Sequence, residues 1–287
     1  MTASSYLPAG FRWMGRIRRR AHPTRPIETM GFVIGFCWQV LSSIPYTLLH
    51  YRRQTVSAIT DTTWGRGAVI IGGGVVPLML LMGAAMGASI GIEAYYALDS
   101  LALGELSGLI SAFGVTRELA PIAAGVGFAA QAGCRMTAEI GSMRISEEID
   151  ALESLGIRSV PFVVTTRVIA GVVAVAPSFV VALLLSYLSC QLIVTTIHGV
   201  PTGTYDHYFD QFVLGWDVIA ATIKVVIFAV AVVLIHSYQG YFAVGGPEGV
   251  GIGSGRAIRA SLVAIIALDM VATIVLWGFQ SPITFTG

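Results

Sequence analysis

The sequence predicts an all-α membrane protein with an N-terminal interfacial helix, five transmembrane helices and a short cytoplasmic helix between spans two and three. Of its 287 residues, 55% are hydrophobic and 11% are charged. Globular soluble domains contain about a quarter charged residues, so a soluble core could not bury this much apolar surface. Apolar runs of about 20 residues, long enough to cross a bilayer, recur along the chain. Basic residues cluster beside alternate runs, as the positive-inside rule requires.

Five apolar segments carry the predicted spans. The first has no charged residue between Arg66 and Glu93, and the third is an uncharged run that follows Arg167. The other three contain charged residues at membrane depth. The predicted spans are residues 67–92, 101–134, 168–197, 218–235 and 260–279. The sequence is therefore divided into an N-terminal region, 1–66, and a five-helix membrane domain, 67–287.

A sixth apolar segment, residues 31–49, is also long enough to cross, but arginines flank it on both sides. They are Arg12, Arg16, Arg18, Arg19, Arg20 and Arg25 before it, and Arg52, Arg53 and Arg66 after it. If this segment crossed, one basic flank would lie outside, against the positive-inside rule. We expect a helix in the inner interface, broken near Pro45. A signal peptide is the alternative, although no clear cleavage site follows.

With the N-terminus cytoplasmic, the charges sort consistently by side. Residues 135–167 carry four arginines on the inside, and residues 237–259 carry two more. The outer connections, 93–105 and 198–216, contain acidic residues and neither Lys nor Arg. The predicted topology is thus multi-pass with an inside N-terminus. The glycine-rich stretch "GGPEGVGIGSG", 245–255, is expected to be a flexible connection into the last span.

The chain contains a single lysine, Lys224, within "ATIKVVIF". A P-loop requires Gly-Lys-Ser/Thr, so this chain has none, and ATP-driven work would need a second protein. The three cysteines, Cys37, Cys134 and Cys190, are far apart and have no metal-ligand spacing. We therefore expect no metal site, no cofactor bound by this chain, and no nucleic-acid partner.

The stretch "AEIGSMRISEEIDALESLGI", 138–157, is acidic between apolar neighbours and predicts a short helix. Ser146 is a suitable N-cap, Glu147 and Glu148 suit the first turn, and Gly156 suits the end. An apolar stripe is expected along one face, and the acids lie mostly off it. That stripe consists of Ile145, Ile149 and Leu152. Such a helix is either a solvated loop element or a ligand for a cytoplasmic protein groove.

Four ionisable residues lie within the predicted spans: Arg117, Glu118, Lys224 and Asp269. Charges at membrane depth usually pair with one another or line a wet cavity. One interpretation is a structural ion pair, for instance Glu118 with Lys224, that holds spans two and four together. The other is a polar element of a transport path. A weaker expectation for Asp269 is a satisfied polar group between helices.

Residues 116–157 resemble the signature of the MlaE/YrbE permeases, the membrane subunits of ABC-type lipid transporters that work with MCE-domain proteins. The matching motifs are "RELAP" at 117–121, "AEIG" at 138–141 with Met143, and "EEIDAL" at 147–152. The segment "GFAAQAGCRM" is most similar to the B-type YrbE proteins of actinobacterial Mce (mammalian cell entry) loci. This chain departs from the family pattern at Glu147-Glu148, where many relatives have Glu-Gln, and at Gln131, near a usual Gly-Arg.

The resemblance implies a role for both charged regions. The acidic segment would be the coupling helix that sits in a groove of the ATPase subunit. Its implied coupling residues are Glu139, Ser146, Glu147, Glu148, Ile149, Asp150, Leu152 and Glu153. Arg117, Glu118 and Lys224 match positions that are functionally sensitive in relatives, which favours a part in the lipid path.

The implied function is that of a permease subunit, not itself an enzyme, in an ATP-driven importer of fatty acids, sterols or phospholipids. Its implied partners are a paralogous YrbE-type permease in a heterodimer, a cytoplasmic ATPase dimer that uses ATP and Mg, and MCE proteins on the outer face of a bacterial plasma membrane. A proton-coupled secondary transporter using Glu118 and Lys224 is the alternative. An intramembrane enzyme is a third reading, for which Cys134 and Ser142 have no evident histidine partner.

Overall fold

The computed structural model describes residues 25–65 and 73–278, with side chains described from residue 31 onward. The arginines from Arg12 to Arg20, the start of the predicted first span, Arg66 and residue 279 lie outside these ranges. Within them the secondary structure is helical apart from one isolated bridge between Gly65 and Gly73. The helices are α1 (Arg25–Ser42), α2 (Ile44–His50), α3 (Arg52–Thr63), α4 (Val75–Asp99), α5 (Gly104–Ile145), α6 (Glu148–Ser154), α7 (Val160–Thr196), α8 (Thr202–Phe212), α9 (Gly215–Tyr241) and α10 (Gly246–Trp277).

Five of these helices, α4, α5, α7, α9 and α10, are long and apolar enough to cross a membrane, which confirms the five predicted spans. They contain 25 to 42 residues. At 1.5 Å per residue, even the shortest is about 37 Å long, more than the ~30 Å apolar thickness of a bilayer. The predicted bounds were too short for α5, α7, α9 and α10, because charged residues mark where a helix leaves the lipid and not where it ends.

The long helices alternate in direction, so the bundle has two ends. The "α6 end" carries α6 and the start of α4; the "α8 end" carries α8 and the end of α10. Helices α4 and α7 run side by side in the same direction. Glycines of α4 bring the two backbones together: a Cβ on Gly83 would lie 2.3 Å from the Ala182 carbonyl oxygen, and one on Gly87 would lie 2.0 Å from that of Ser186. Small residues permit this close packing in membranes.

The N-terminal helices pack against the α6 end. Helices α1 and α2 meet at a 42° bend with Pro45 in the first turn of α2, as predicted. The Phe36 ring of α1 contacts Tyr238 and Tyr241 in the last turns of α9, and the Val40 carbonyl accepts a hydrogen bond from Thr165. These contacts lie at one end of the bundle, as expected for an interfacial helix. Helix α3 was not predicted; it packs along α7.

The expected glycine loop at 245–255 is wrong, because this stretch forms the first turns of α10. Only its first two residues, Gly245 and Gly246, have the positive φ angles of a turn, +95° and +69°. Pro247 and Glu248 then occupy the first turn, where both residue types are favoured. Gly253 is buried, and a Cβ there would reach 3.5 Å from the Gln239 carbonyl of α9. Packing against α9 therefore overrides the low helix propensity of glycine.

Candidate functional site

Helix α5 contains two wide π-helical segments, Ser111–Leu119 and Ala129–Gly133, and the first holds Arg117 and Glu118. Such turns are rare and occur frequently at functional sites. Pro121 follows two residues after this segment and has no N–H to donate to the Arg117 carbonyl four residues earlier. The Lys224 ammonium group of α9 donates to that carbonyl at 2.7 Å. The proline thus leaves the Arg117 carbonyl without its usual helical donor, and Lys224 on another span supplies one.

Lys224 is fully buried where α5, α9 and α10 meet. Its Nζ lies 2.7 Å from Asp269 Oδ1 and 3.3 Å from Glu118 Oε2. It also donates to the Thr273 hydroxyl at 2.8 Å, and that hydroxyl donates to Glu118 Oε1 at 2.8 Å. The lysine is therefore held by two carboxylates, a hydroxyl and a carbonyl, which is how an ammonium group is accommodated away from water.

A second ion pair lies nearer the α8 end. Arg117 donates through Nε and Nη2 to Asp217 Oδ2, at 3.0 and 2.8 Å. The other Asp217 oxygen accepts from Trp277 Nε1 at 2.7 Å. The guanidinium also lies 4.2 Å from the centre of the Phe113 ring. Asp217 is fully buried, so this carboxylate is satisfied by protein donors on both oxygens.

Together the two pairs form a continuous polar cluster of two cations and three carboxylates, formally −1. Asp217 and Lys224 are seven residues apart on α9, so the cluster extends about 10 Å from the α8 end into the bundle. Four of its charged side chains are less than 10% exposed, whereas that of Glu118 is 39% exposed. We call this group the charge cluster: Arg117, Glu118, Asp217, Lys224 and Asp269. Glu118 is therefore the most exposed member of the cluster.

The sequence predicted four of the five members, and the structure brings all four together. Glu118 does pair with Lys224, but Asp269 lies closer to the lysine and is as central to the cluster as Glu118. Asp217 was missed because it stands one residue before the predicted start of span four. The sequence did contain an indication of this residue. An arginine at membrane depth requires an anionic partner, and no partner had been predicted for Arg117.

The acidic helix α6 lies between α5 and α7, as predicted, but its start differs. Ser146 ends α5 and does not cap α6, because its hydroxyl donates to the Ser142 carbonyl at 2.9 Å. Glu147 precedes the helix in a left-handed conformation with φ of +62°. This residue makes the sharp turn from α5 into α6. Gly156, with φ of +76°, ends the helix as predicted.

The apolar stripe of α6 faces the bundle and not the exterior. Ile149 is fully buried in the main core and Leu152 packs against that core, whereas Ile145 belongs to α5 and is 39% exposed. Glu153 is exposed, but its side chain also bonds to the bundle: it accepts hydrogen bonds from Ser159 at 2.5 Å and from Tyr241 of α9 at 3.4 Å. These residues therefore hold α6 to the bundle and leave its other face free to meet a partner.

The exposed face of α6 carries Glu147, Glu148 and Asp150, with Leu155 74% exposed at its end. Asp150 forms an ion pair with Arg144 of α5 at 2.6 Å. These four residues are exposed parts of the predicted coupling segment.

Glu139 belongs to a separate group. It lies on α5 between Arg135, at 2.7 Å, and Arg167 of α7, at 3.3 Å, and it lines a cavity against α3. The resemblance grouped Glu139 with α6, and the structure places it beside these two arginines. Arg135 and Arg167 were not predicted as site residues. Arg135 could have been found from the sequence, because Glu139 follows it by four residues and therefore lies on the same helix face.

This fold and site define a class of protein: a multi-pass helical membrane protein whose charges are paired between its spans. A family model described as Permease MlaE matches residues 64–275. The chain therefore belongs to the MlaE permease family, and the match covers all five long helices almost completely.

Individual relatives agree with this assignment. The chain is 27% identical over 202 residues to the intermembrane phospholipid transport system permease protein MlaE of Haemophilus influenzae, which covers 70% of this chain and 77% of that protein. It is 26% identical over 187 residues to a probable ABC transporter permease protein of Rickettsia bellii, covering 65% and 72%. It is also 29% identical over 171 residues to the chloroplastic protein TRIGALACTOSYLDIACYLGLYCEROL 1 of Arabidopsis thaliana, covering 60% of this chain and 49% of that protein.

Proposed function

We propose that this chain is the permease subunit of an ATP-driven lipid importer in a bacterial plasma membrane, with its N-terminus in the cytoplasm. The observation that carries the proposal is α6: a short helix fixed to the bundle by Ile149, Leu152 and Glu153, with acidic residues on its free face. The chain has no P-loop, so an ATPase must be a separate protein. A rigidly held, outward-facing helix can transmit a force from that ATPase to α5 and α7.

The lipid assignment draws on family membership and on the name of the Haemophilus influenzae relative, a phospholipid transport system permease. Phospholipids are accordingly the first substrate class to test, with fatty acids and sterols after them. The remaining partners are a paralogous YrbE-type permease as the second subunit, MCE proteins on the outer face, and an ATPase dimer that binds ATP and Mg. The charge cluster would form a polar element of the lipid path, reached through Glu118.

The coupling role is tested by charge reversal on the free face of α6. The variant Glu147→Lys/Glu148→Lys/Asp150→Lys should lose the co-purifying ATPase while the permease still inserts and folds. A matched control reverses three exposed acids of the opposite connection, Glu93, Asp99 and Glu105. ATPase recovery should survive in the control. Unchanged recovery with the α6 variant would refute the coupling role.

A proton-coupled secondary transporter is the second candidate, and one observation favours it. The charge cluster carries a formal excess of one negative charge, with Glu118 partly exposed, which is an arrangement that could take up a proton. Lipid uptake in reconstituted vesicles separates the two functions. Uptake that stops with vanadate and continues with an uncoupler supports the ATP-driven importer, and the opposite pattern supports proton coupling.

A further inference from the structure

A cavity of about 370 Å³ lies at the α6 end between α3, α5 and α7, separate from the charge cluster. Its volume falls within the range of small-molecule sites, roughly 300–1,000 Å³. Its charged lining side chains are Asp61, Arg135, Glu139 and Arg167. Neither the coupling helix nor the charge cluster accounts for these four groups.

The two arginines are held in place with donors to spare. Glu139 accepts from Arg135 Nε at 2.7 Å and from Arg167 Nη2 at 3.3 Å, so one carboxylate fixes both guanidinium groups. Arg135 also donates to the Asp61 carbonyl, and Arg167 to the Val163 carbonyl. These bonds use two of the five N–H groups that each guanidinium carries. The side chains of Arg135 and Arg167 are 33% and 17% exposed, so they remain accessible from the cavity.

The N-terminus of α4 lines the same cavity through Gly74 and Val75. Helix α4 has 25 residues, and within residues 25–65 and 73–278 no side chain caps its first turn. The first N–H groups of a helix have no partner within it and favour anions. Gln131 donates to the Gly73 carbonyl at 2.6 Å, which fixes the approach to this helix start. Backbone donors and two guanidinium groups therefore converge on one cavity.

The cavity lies at the depth of lipid headgroups. Gly83, Gly87 and Gly91 of α4 pack on Ala182, Ser186 and Cys190 of α7, an offset of 99 residues, so Val75 is level with residue 174. Arg167 is then about 10 Å nearer the α6 end. The uncharged part of α4, before Glu93, is about 27 Å long, close to the ~30 Å thickness of the apolar layer, so its first residue lies near the boundary of that layer. Pockets between membrane helices that present basic side chains at this depth bind lipid headgroups.

We infer that the cavity between α3, α5 and α7 binds the phosphate group of a phospholipid, with Arg135, Arg167 and the start of α4 as its donors. Guanidinium groups match phosphate oxygens in a two-point geometry, and a helix N-terminus adds further donors. Glu139 positions both arginines. The inference deepens the proposed function, on which it rests for the lipid, by naming a headgroup chemistry and a place where it binds.

The test is calorimetric titration of the full chain in detergent micelles with three probes: dihexanoyl phosphatidic acid, inorganic phosphate and dihexanoylglycerol. Saturable binding is expected for the phosphatidic acid and much weaker binding for the other two. Equal binding of inorganic phosphate would overturn the lipid assignment, and equal binding of dihexanoylglycerol would overturn the phosphate assignment. Neither result depends on an ATPase, so failure here is distinct from failure of the coupling role.

Two variants locate the binding. Arg167→Gln/Glu139→Gln removes one cation and one anion, so the net charge of the cavity is unchanged; Arg135 loses its carboxylate partner, but its side chain is 33% exposed and can be solvated. Arg135→Gln tests the second arginine. Each should weaken phosphatidic acid binding about tenfold or more, the effect of losing a charged hydrogen bond. Arg53→Gln, on α3 outside the cavity, should leave binding unchanged. Unaltered affinity in both cavity variants would overturn the site.

Discussion

Two ion pairs of this molecule have nearly the same distance between their charged atoms, but one pair is buried and the other is exposed. Arg117 and Asp217 are 2.8 Å apart with side chains 7% and 0% exposed. Arg144 and Asp150 are 2.6 Å apart with side chains 37% and 58% exposed. Water can replace a lost partner in the second pair and cannot reach the first. The difference shows that burial, and not distance, decides what each pair contributes.

The largest effect is expected from Asp217→Asn. Arg117 cannot lose its proton, so the variant leaves a permanent charge buried without its anion. Breaking a buried pair in this way costs about 3–5 kcal/mol. We expect a large loss of folded protein, measured by unfolding in mixed micelles. Arg117→Gln/Asp217→Asn, which removes both charges, should recover most of the loss. Equal instability of the single and double variants would contradict an electrostatic origin.

A smaller loss is expected from Lys224→Met, although the lysine is fully buried. One of its carboxylate partners, Glu118, has a side chain 39% exposed, so water can solvate that charge when the cation is removed. We expect destabilisation of about 2–3 kcal/mol, below that of Asp217→Asn, because part of the charge that remains is accessible to water. The same unfolding measurement checks the order. Greater damage from Lys224→Met than from Asp217→Asn would show that Lys224 is the more important structural centre.

Sequence patterns predicted the membrane part of this fold well because the physical constraint is strong. A bilayer demands about 20 apolar residues per span, and the arginines then assign the sides. The positions at which the helices end could not be predicted from apolar runs and arginines. Residues 245–255 look like a loop by glycine content, yet contacts between Gly253 and α9 make them helical. Those contacts join residues distant in sequence, so no local pattern reports them.

The candidate site was predicted in part for a similar reason. A charge inside an apolar run is conspicuous, and this revealed Arg117, Glu118, Lys224 and Asp269. Asp217 and Arg167 stand at the ends of apolar runs, where charges are ordinary, and only folding brings them to their partners. The same holds for α6: the sequence shows an apolar stripe, but the structure is needed to see that Ile149 is buried in the chain's own core.

An intermediate effect is expected from Gly87→Ala in the contact between α4 and α7. The added Cβ would lie 2.0 Å from the Ser186 carbonyl oxygen, so the two helices must move apart. Overpacking of this kind costs about 1–3 kcal/mol. The matched control is Gly251→Ala in α10, where nothing lies within 4 Å of the new Cβ. The control should be stabilised by about 0.5–1 kcal/mol, since alanine favours a helix. Destabilisation of the control would contradict the helical assignment of residues 245–255.

The smallest effect on stability is expected from Arg144→Gln, which removes the exposed pair with Asp150. Exposed ion pairs contribute about 0.2–1 kcal/mol, and water solvates the Asp150 carboxylate that remains. The unfolding transition should therefore shift little compared with that of Asp217→Asn. The variant also makes the free face of α6 more acidic, because it removes the cation that neutralises Asp150. If that face binds a basic groove, ATPase recovery should be kept or increased while stability is unchanged. A large loss of stability would show that Arg144 and Asp150 hold α6 in place, and the contrast between the two pairs would then fail.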